Sequence, residues 1–152
     1  MLHSRKVTEV EFEDMIKDCY TLISGYSAIE GENQVDWHIQ MAELMPNGME
    51  SAGNYLYTFL NEEEQVIGYA WCSDKEDSMR LIAYIGVKES FRRRGYATQI
   101  MEMICRDAKQ AGVSLMVLGV EKNNFPAIHI YERDGFKIVG EEDIRFIMVK
   151  EL

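Results

Sequence analysis

The chain has 152 residues, 47% of them hydrophobic and 28% charged, with two prolines and 11 glycines. That is enough to bury a core in one domain spanning 1–152, and it excludes long disordered segments. A formal net charge of −10 argues against nucleic-acid partners, whose non-specific binding rests on neutralising several phosphates at once. No apolar run approaches membrane-spanning length and the N-terminus lacks a signal-peptide pattern, so a cytoplasmic protein with no membrane partner is expected. Cys19, Cys72 and Cys105 are far apart, without Cys-x-x-Cys spacing, and His3, His38 and His129 have no ligand-like spacing. Buried thiols are expected rather than disulfides, and no metal.

In chain order, residues 2–7 suit a short edge strand, after which Thr8 and Glu11 read as a capping box. Val10, Ile16, Cys19, Tyr20 and Ile23 recur at helical spacing, giving a helix to about Ser24. A second helix is predicted over residues 35–45, ended by Pro46-Asn47-Gly48. From Asn54 the period changes to two, so residues 55–60 and 66–72 form an antiparallel hairpin. Residues 79–87 are more apolar and suit the sheet centre.

Next comes Arg92-Arg93-Arg94-Gly95-Tyr96-Ala97, a basic glycine-containing turn leading into an amphipathic helix that carries Ile100, Met101, Ile104 and Ala108 on one face and ends at Gly112. Residues 113–120 make a buried strand, and this strand–helix–strand unit should be a right-handed crossover between parallel strands. Asn123 or Asn124 caps a last helix, with Pro126 in its first turn and Gly135 closing it. Residues 136–139 and 144–149 finish as a hairpin.

The basic turn carries the first chemical signal. Where a strand re-enters as a helix, free N–H groups favour an anion such as phosphate, and Gly95 admits positive φ and a close ligand approach. Charge elsewhere is lopsided: residues 1–60 hold three bases against ten carboxylates, a net of −7. That segment reads as solvated helix faces or as a field attracting a cationic amine.

Two patterns then carry a resemblance. Arg92, Gly95 and Ala97 match Arg/Gln-x-x-Gly-x-Gly/Ala, and residues 124–136 match Asn-x-x-Ala-x-x-x-Tyr-x-x-x-Gly-Phe through Asn124, Ala127, Tyr131, Gly135 and Phe136. The chain thereby resembles the GNAT superfamily of N-acetyltransferases, best over about residues 50–150. The resemblance implies an α/β (α+β) fold: a mixed, mostly antiparallel sheet of six to seven strands, splayed parallel strands four and five, and helices on both faces.

It also implies a donor site. Ile85 and Val87 would bond pantetheine, the Ile85 N–H would stabilise the oxyanion, and Gly86 would mark a bulge opening the strand. Backbone of Arg93, Arg94, Gly95, Tyr96 and Ala97 would hold the pyrophosphate, with help from the Thr98 hydroxyl and with Arg92 near the ribose phosphate. Asn124 would cap its helix and touch the pantetheine arm. Tyr131 would protonate the departing thiolate.

Some relatives carry a basic carboxylate on the fourth strand, but residues 81–87 contain none. The base is open among Glu30, Glu32, Glu121 and water. The expected function is acetyl-coenzyme A-dependent acetylation of a primary amine by direct attack in a ternary complex. The alternative is a non-catalytic acyl-coenzyme A-binding module. The acceptor would be a small molecule or peptide, a cationic one being the form the acidic segment attracts, and a homodimer is left open.

Overall fold

The computed structural model describes residues 1–26 and 45–152, and the side chains of 20–26 are not described. The helix expected over 35–45, and Glu30, Glu32 and His38, therefore lie outside the described residues apart from Met45. Among the described residues seven strands form one sheet: β1 (His3–Lys6), β2 (Asn54–Leu60), β3 (Val66–Lys75), β4 (Met79–Val87), β5 (Leu115–Glu121), β6 (Lys137–Glu142) and β7 (Arg145–Glu151). Their order is β1-β2-β3-β4-β5-β7-β6, and every pairing is antiparallel except that of β4 with β5. The helices with described residues are α1 (Glu9–Tyr26), α2 (Tyr96–Gln110) and α3 (Phe125–Arg133).

The capping box forms as expected, with Thr8 N–H donating to Glu11 Oε1 at 2.9 Å and Glu11 N–H to Thr8 Oγ1 at 3.2 Å. Arg5 adds a two-pronged contact to Glu11 at 2.6 and 2.8 Å, and the Thr58 hydroxyl donates to it at 3.0 Å. Led by the Arg5 bond, these contacts hold the Glu11 carboxyl down to about 2. β1, α1 and β2 are thus tied at one carboxylate.

Both later helices stop on glycines with positive φ, Gly112 at 88° and Gly135 at 98°. Behind them, Val113 N–H reaches Ala108 C=O at 3.0 Å and Phe136 N–H reaches Tyr131 C=O at 3.0 Å, closing each helix end with a six-to-one bond. Because Val113 is held in this closure, β5 begins at Leu115 rather than at the expected 113.

Two cores lie on the two faces of the sheet. On one, Ile100, Met101, Ile104 and Ala108 of α2 and Ile128 of α3 pack on β-strand residues including Ile67, Ile82, Leu118 and Met148. On the other, Met15 and Cys19 of α1 join Leu56, Tyr69, Trp71 and Tyr84. All three cysteines are buried and free, and burial pushes the Cys72 thiol up to about 12.

A bulge in β4 assigns residues to these faces. Opposite Trp71 and Cys72 the partners are Tyr84 and Ile82, so Ala83 is the extra residue. Ile82 therefore faces the α2 core and Tyr84 the α1 core, although a regular strand would put both on one side. Beyond the bulge, Ile85 and Val87 return to the α2 face.

Candidate active site

The parallel pairing of β4 with β5 runs only from Met79–Leu115 to Ile82–Leu118. Each strand then continues with its other neighbour alone, β4 with β3 to Val87 and β5 with β7 to Glu121. The sheet opens here into a wedge between two strands. Lys88 N–H donates to Ile67 C=O at 2.7 Å, which sets the alternation along this end of β4. The N–H and C=O groups of Gly86 therefore point at β3, and those of Ile85 and Val87 point into the wedge.

The bulge expected at Gly86 is at Ala83; Gly86 pairs in register with Tyr69. What requires glycine at 86 is packing, because a Cβ there would run into the Tyr84 phenol. The sequence pattern was ambiguous because an internal strand glycine signals either a bulge or a close neighbour.

After Val87 a short 3-10 turn, Glu89–Phe91, leads into the arginine loop. Arg93 has φ 66° and Gly95 has φ 79°, two left-handed residues flanking Arg94. Such alternation turns successive N–H groups toward one concavity, an anion-binding arrangement. The first bond of α2 is Gln99 N–H to Gly95 C=O at 3.3 Å, so the amides of Tyr96, Ala97 and Thr98 have no acceptor within the helix. They sit at its positive end.

The loop's side chains are held in place. Arg92 Nε donates to Val87 C=O at 3.0 Å and ties the loop to the end of β4. Arg94 lies 5.6 Å from the centre of the Phe91 ring, and Tyr96 meets that ring edge-on at 6.3 Å.

From the far side of the wedge come Asn124 and Tyr131. Asn124 is buried, and its side-chain oxygen accepts the Ala127 N–H at 3.4 Å, which settles the cap of α3 between Asn123 and Asn124. Tyr131 is half-buried beside Phe136, ring centres 6.1 Å apart. Burial pushes its phenol up to about 12, with Glu121 and Asp134 adding to the effect. Its hydroxyl has no hydrogen-bond partner among the described residues.

The α1 face carries a polar network that sequence patterns did not single out. Lys88 Nζ bonds Asp14 and, at 2.7 Å, Asp18, while the Tyr69 hydroxyl donates to Asp14 at 2.6 Å. Burial works against the Lys88 ammonium, but the bonds to Asp14 and Asp18 outweigh it and raise its pKa. These carboxylates on α1 thus anchor the end of β4, a long-range pairing with no local signature. Glu121, the one candidate base within the described residues, ends β5 and bonds Arg145 Nε at 3.3 Å. A 340 Å³ cavity lies elsewhere, between β1, β2 and the Gly48–Glu50 turn, lined by residues including Arg5, Glu50 and Tyr57.

Residues 11–136 match the family model described as Acetyltransferase (GNAT) family. The chain belongs to the GNAT family. Its relatives include the uncharacterized N-acetyltransferase YycN of Bacillus subtilis (strain 168), 28% identical over 113 residues, covering 72% of this chain and 69% of YycN. The crystal structure of YycN superimposes with a TM-score of 0.78 at 21% identity, covering 95% of each chain. The PaiA N-acetyltransferase of Thermoplasma acidophilum, solved with coenzyme A, gives 0.77 at 13% identity, covering 100% of this chain and 99% of PaiA. Against mycothiol acetyltransferase of Corynebacterium glutamicum (strain R) the match is 26% identical, over 53% of this chain but 27% of that protein. The seven-stranded mixed sheet with its parallel β4–β5 pair is the GNAT fold that the two motifs implied.

Proposed function

We propose that the protein transfers the acetyl group of acetyl-coenzyme A to a primary amine by direct attack within a ternary complex. The observation that carries this reading is the wedge. β4 and β5 part after Ile82 and Leu118, the main chain of Ile85 and Val87 faces the gap, and the α2 N-terminus stands at the end of the same strand. The residues present fit the donor. Amides of residues 93–97 and the Thr98 hydroxyl would hold the pyrophosphate. Ile85 and Val87 would bond the extended pantetheine arm as an added strand does, with Asn124 beside it.

The chemistry follows from group placement. The Ile85 N–H is the donor for the oxyanion that develops as the amine attacks. Tyr131, kept protonated by burial, delivers its proton to the leaving sulfur. Glu121 takes the proton from the amine: its Oε1 faces Arg145 and its second oxygen is left for that task.

A thiol-release assay with an amine panel tests the reaction. Acceptor-dependent thiol release that falls in Glu121→Gln and Tyr131→Phe is expected. Acetyl-coenzyme A binding without acceptor-dependent release from any amine would instead support the non-catalytic binding module, a reading favoured by the lack of a carboxylate on residues 81–87.

A further inference from the structure

We propose that Arg145 binds a carboxylate on the acceptor, so that the amine acetylated belongs to an α-amino acid or a compound with the same pairing of amine and carboxylate. This rests on the reaction proposed above and names its acceptor class. Arg145 opens β7 directly opposite Glu121 of β5. Its side chain leans over β5, with Cδ 3.6 Å from where a Cβ on Gly119 would be. Since β5 lies between β7 and β4 in the sheet, a side chain that leans from β7 over β5 extends toward the wedge.

The face matters as much as the direction. Met116, Leu118 and Val120 point to the α2 core, so Gly119, Glu121 and Arg145 lie on the opposite, α1 side. The α2 core also takes Tyr131 and the first residue of α2, Tyr96, both assigned to the donor. Arg145 therefore stands at the other mouth of the wedge, where an acceptor reaches the thioester without displacing the donor.

Only one edge of the guanidinium is engaged. Nε meets Glu121 Oε1 at 3.3 Å, and the two Nη groups have no acceptor among the described residues; the side chain is 37% exposed. That free edge is planar and two-pronged, the shape that matches a carboxylate. Other arginines near the wedge are engaged differently: Arg80 is buried against Asp74, Arg92 is on the Val87 carbonyl, and Arg94 covers Phe91. Glu121 beside it orients the guanidinium and leaves one oxygen for the ammonium. A zwitterion meets both charges at once. Gly119 carries no side chain to compete for this space, and a Cβ there would come into ordinary contact with Arg145 Cδ.

The test compares α-amino acids with their carboxamides as acceptors, with rates expressed per free amine. Wild type should prefer each acid, and Arg145→Gln should lower kcat/KM for the acids by about ten- to a hundredfold, collapsing the acid-to-amide ratio toward one. Arg145→Lys should restore only part of it, since a point charge lacks the fork. Thiol release that is as fast with the amides as with the acids would overturn the proposal while leaving the acetyl-transfer reading intact. Phosphoethanolamine outperforming every amino acid would overturn it in favour of a phosphate.

A binding arm does not depend on turnover. N-acetylleucine titrated calorimetrically into protein saturated with coenzyme A should bind at least about tenfold more tightly than N-acetylleucinamide, with that margin lost in Arg145→Gln. If no amine releases thiol but this margin is found, the acetyl-transfer reading fails and the carboxylate site stands. Equal binding of the two ligands to wild type overturns the site.

Discussion

The two halves of β4 share one backbone but are paired differently. Residues 79–82 are hydrogen-bonded on both edges, to β3 and to β5, and present Arg80 and Ile82 as buried residues. Beyond Ala83 the strand keeps β3 but has lost β5, and its residues from Ile85 to Val87 are half-buried. A central strand satisfies its polar groups within the sheet, whereas a half-paired one offers them to whatever enters the gap. The comparison teaches that a fully paired half and a half-open one are separated here by a single inserted residue.

The sharpest way to break that separation is at the reacting end. Tyr131→Phe keeps the ring against Phe136, so donor affinity and stability should change little. Loss of a positioned general acid should lower kcat by at least about tenfold and by as much as about 10⁴-fold. Because the phenol is pushed up to about 12, wild-type kcat should show no loss from tyrosine ionisation below about pH 10. Steady-state rates at several pH values check both statements; a rise in KM for acetyl-coenzyme A with kcat unchanged would return the hydroxyl to a binding role.

Paired residues should answer through stability instead. Ile82→Ala removes a fully packed side chain and should cost about 2–4 kcal/mol, while Ile85→Ala, half-buried at the wedge, should cost clearly less. Urea unfolding of the two variants measures the difference. Equal losses would mean that the open half is as much a part of the core as the closed half.

At the loop, Gly95→Val places a β-branched residue at φ 79°, although a Cβ there meets no atom of the protein within 4 Å. The fold should survive with modest strain, and acetyl-coenzyme A affinity should fall by about tenfold or more, read by calorimetry on the folded variant.

The smallest effect concerns the capping carboxylate far from the wedge. Glu11 has a folded pKa of about 2 against an ordinary 4.5, so its contribution is complete above 4.5 and is lost as pH falls toward 2. Half-exposed Arg5 screens the interaction, leaving about 1 kcal/mol of acid sensitivity that Glu11→Gln should remove from the stability profile.

Much of the fold was legible because its signals are local. The capping box at Thr8 and Glu11, the glycine stops at Gly112 and Gly135, and the cap at Asn124 are each made by residues a few positions apart. The arginine loop leading into α2's first turn, which the donor proposal uses, was legible for the same reason: the two are continuous in sequence. Arg145 and the Lys88 network were not, because Lys88 reaches across 74 residues to Asp14 and Arg145 across 24 to Glu121. Gly119 was the available hint, an isolated strand glycine over which Arg145 leans.

By itself, then, the sequence determined how the described helices are capped and where the two later ones stop, the order of the strands, and which turn collects free amides, since these depend on φ preferences, capping and periodicity within one segment. Tertiary structure alone decided the position of the β4 bulge, and with it that Ile82 and Tyr84 face opposite cores. An alternating apolar run is compatible with a bulge at several positions. The one realised depends on which side chains the neighbouring strand and the helices on each face can accommodate, and no local pattern records that choice.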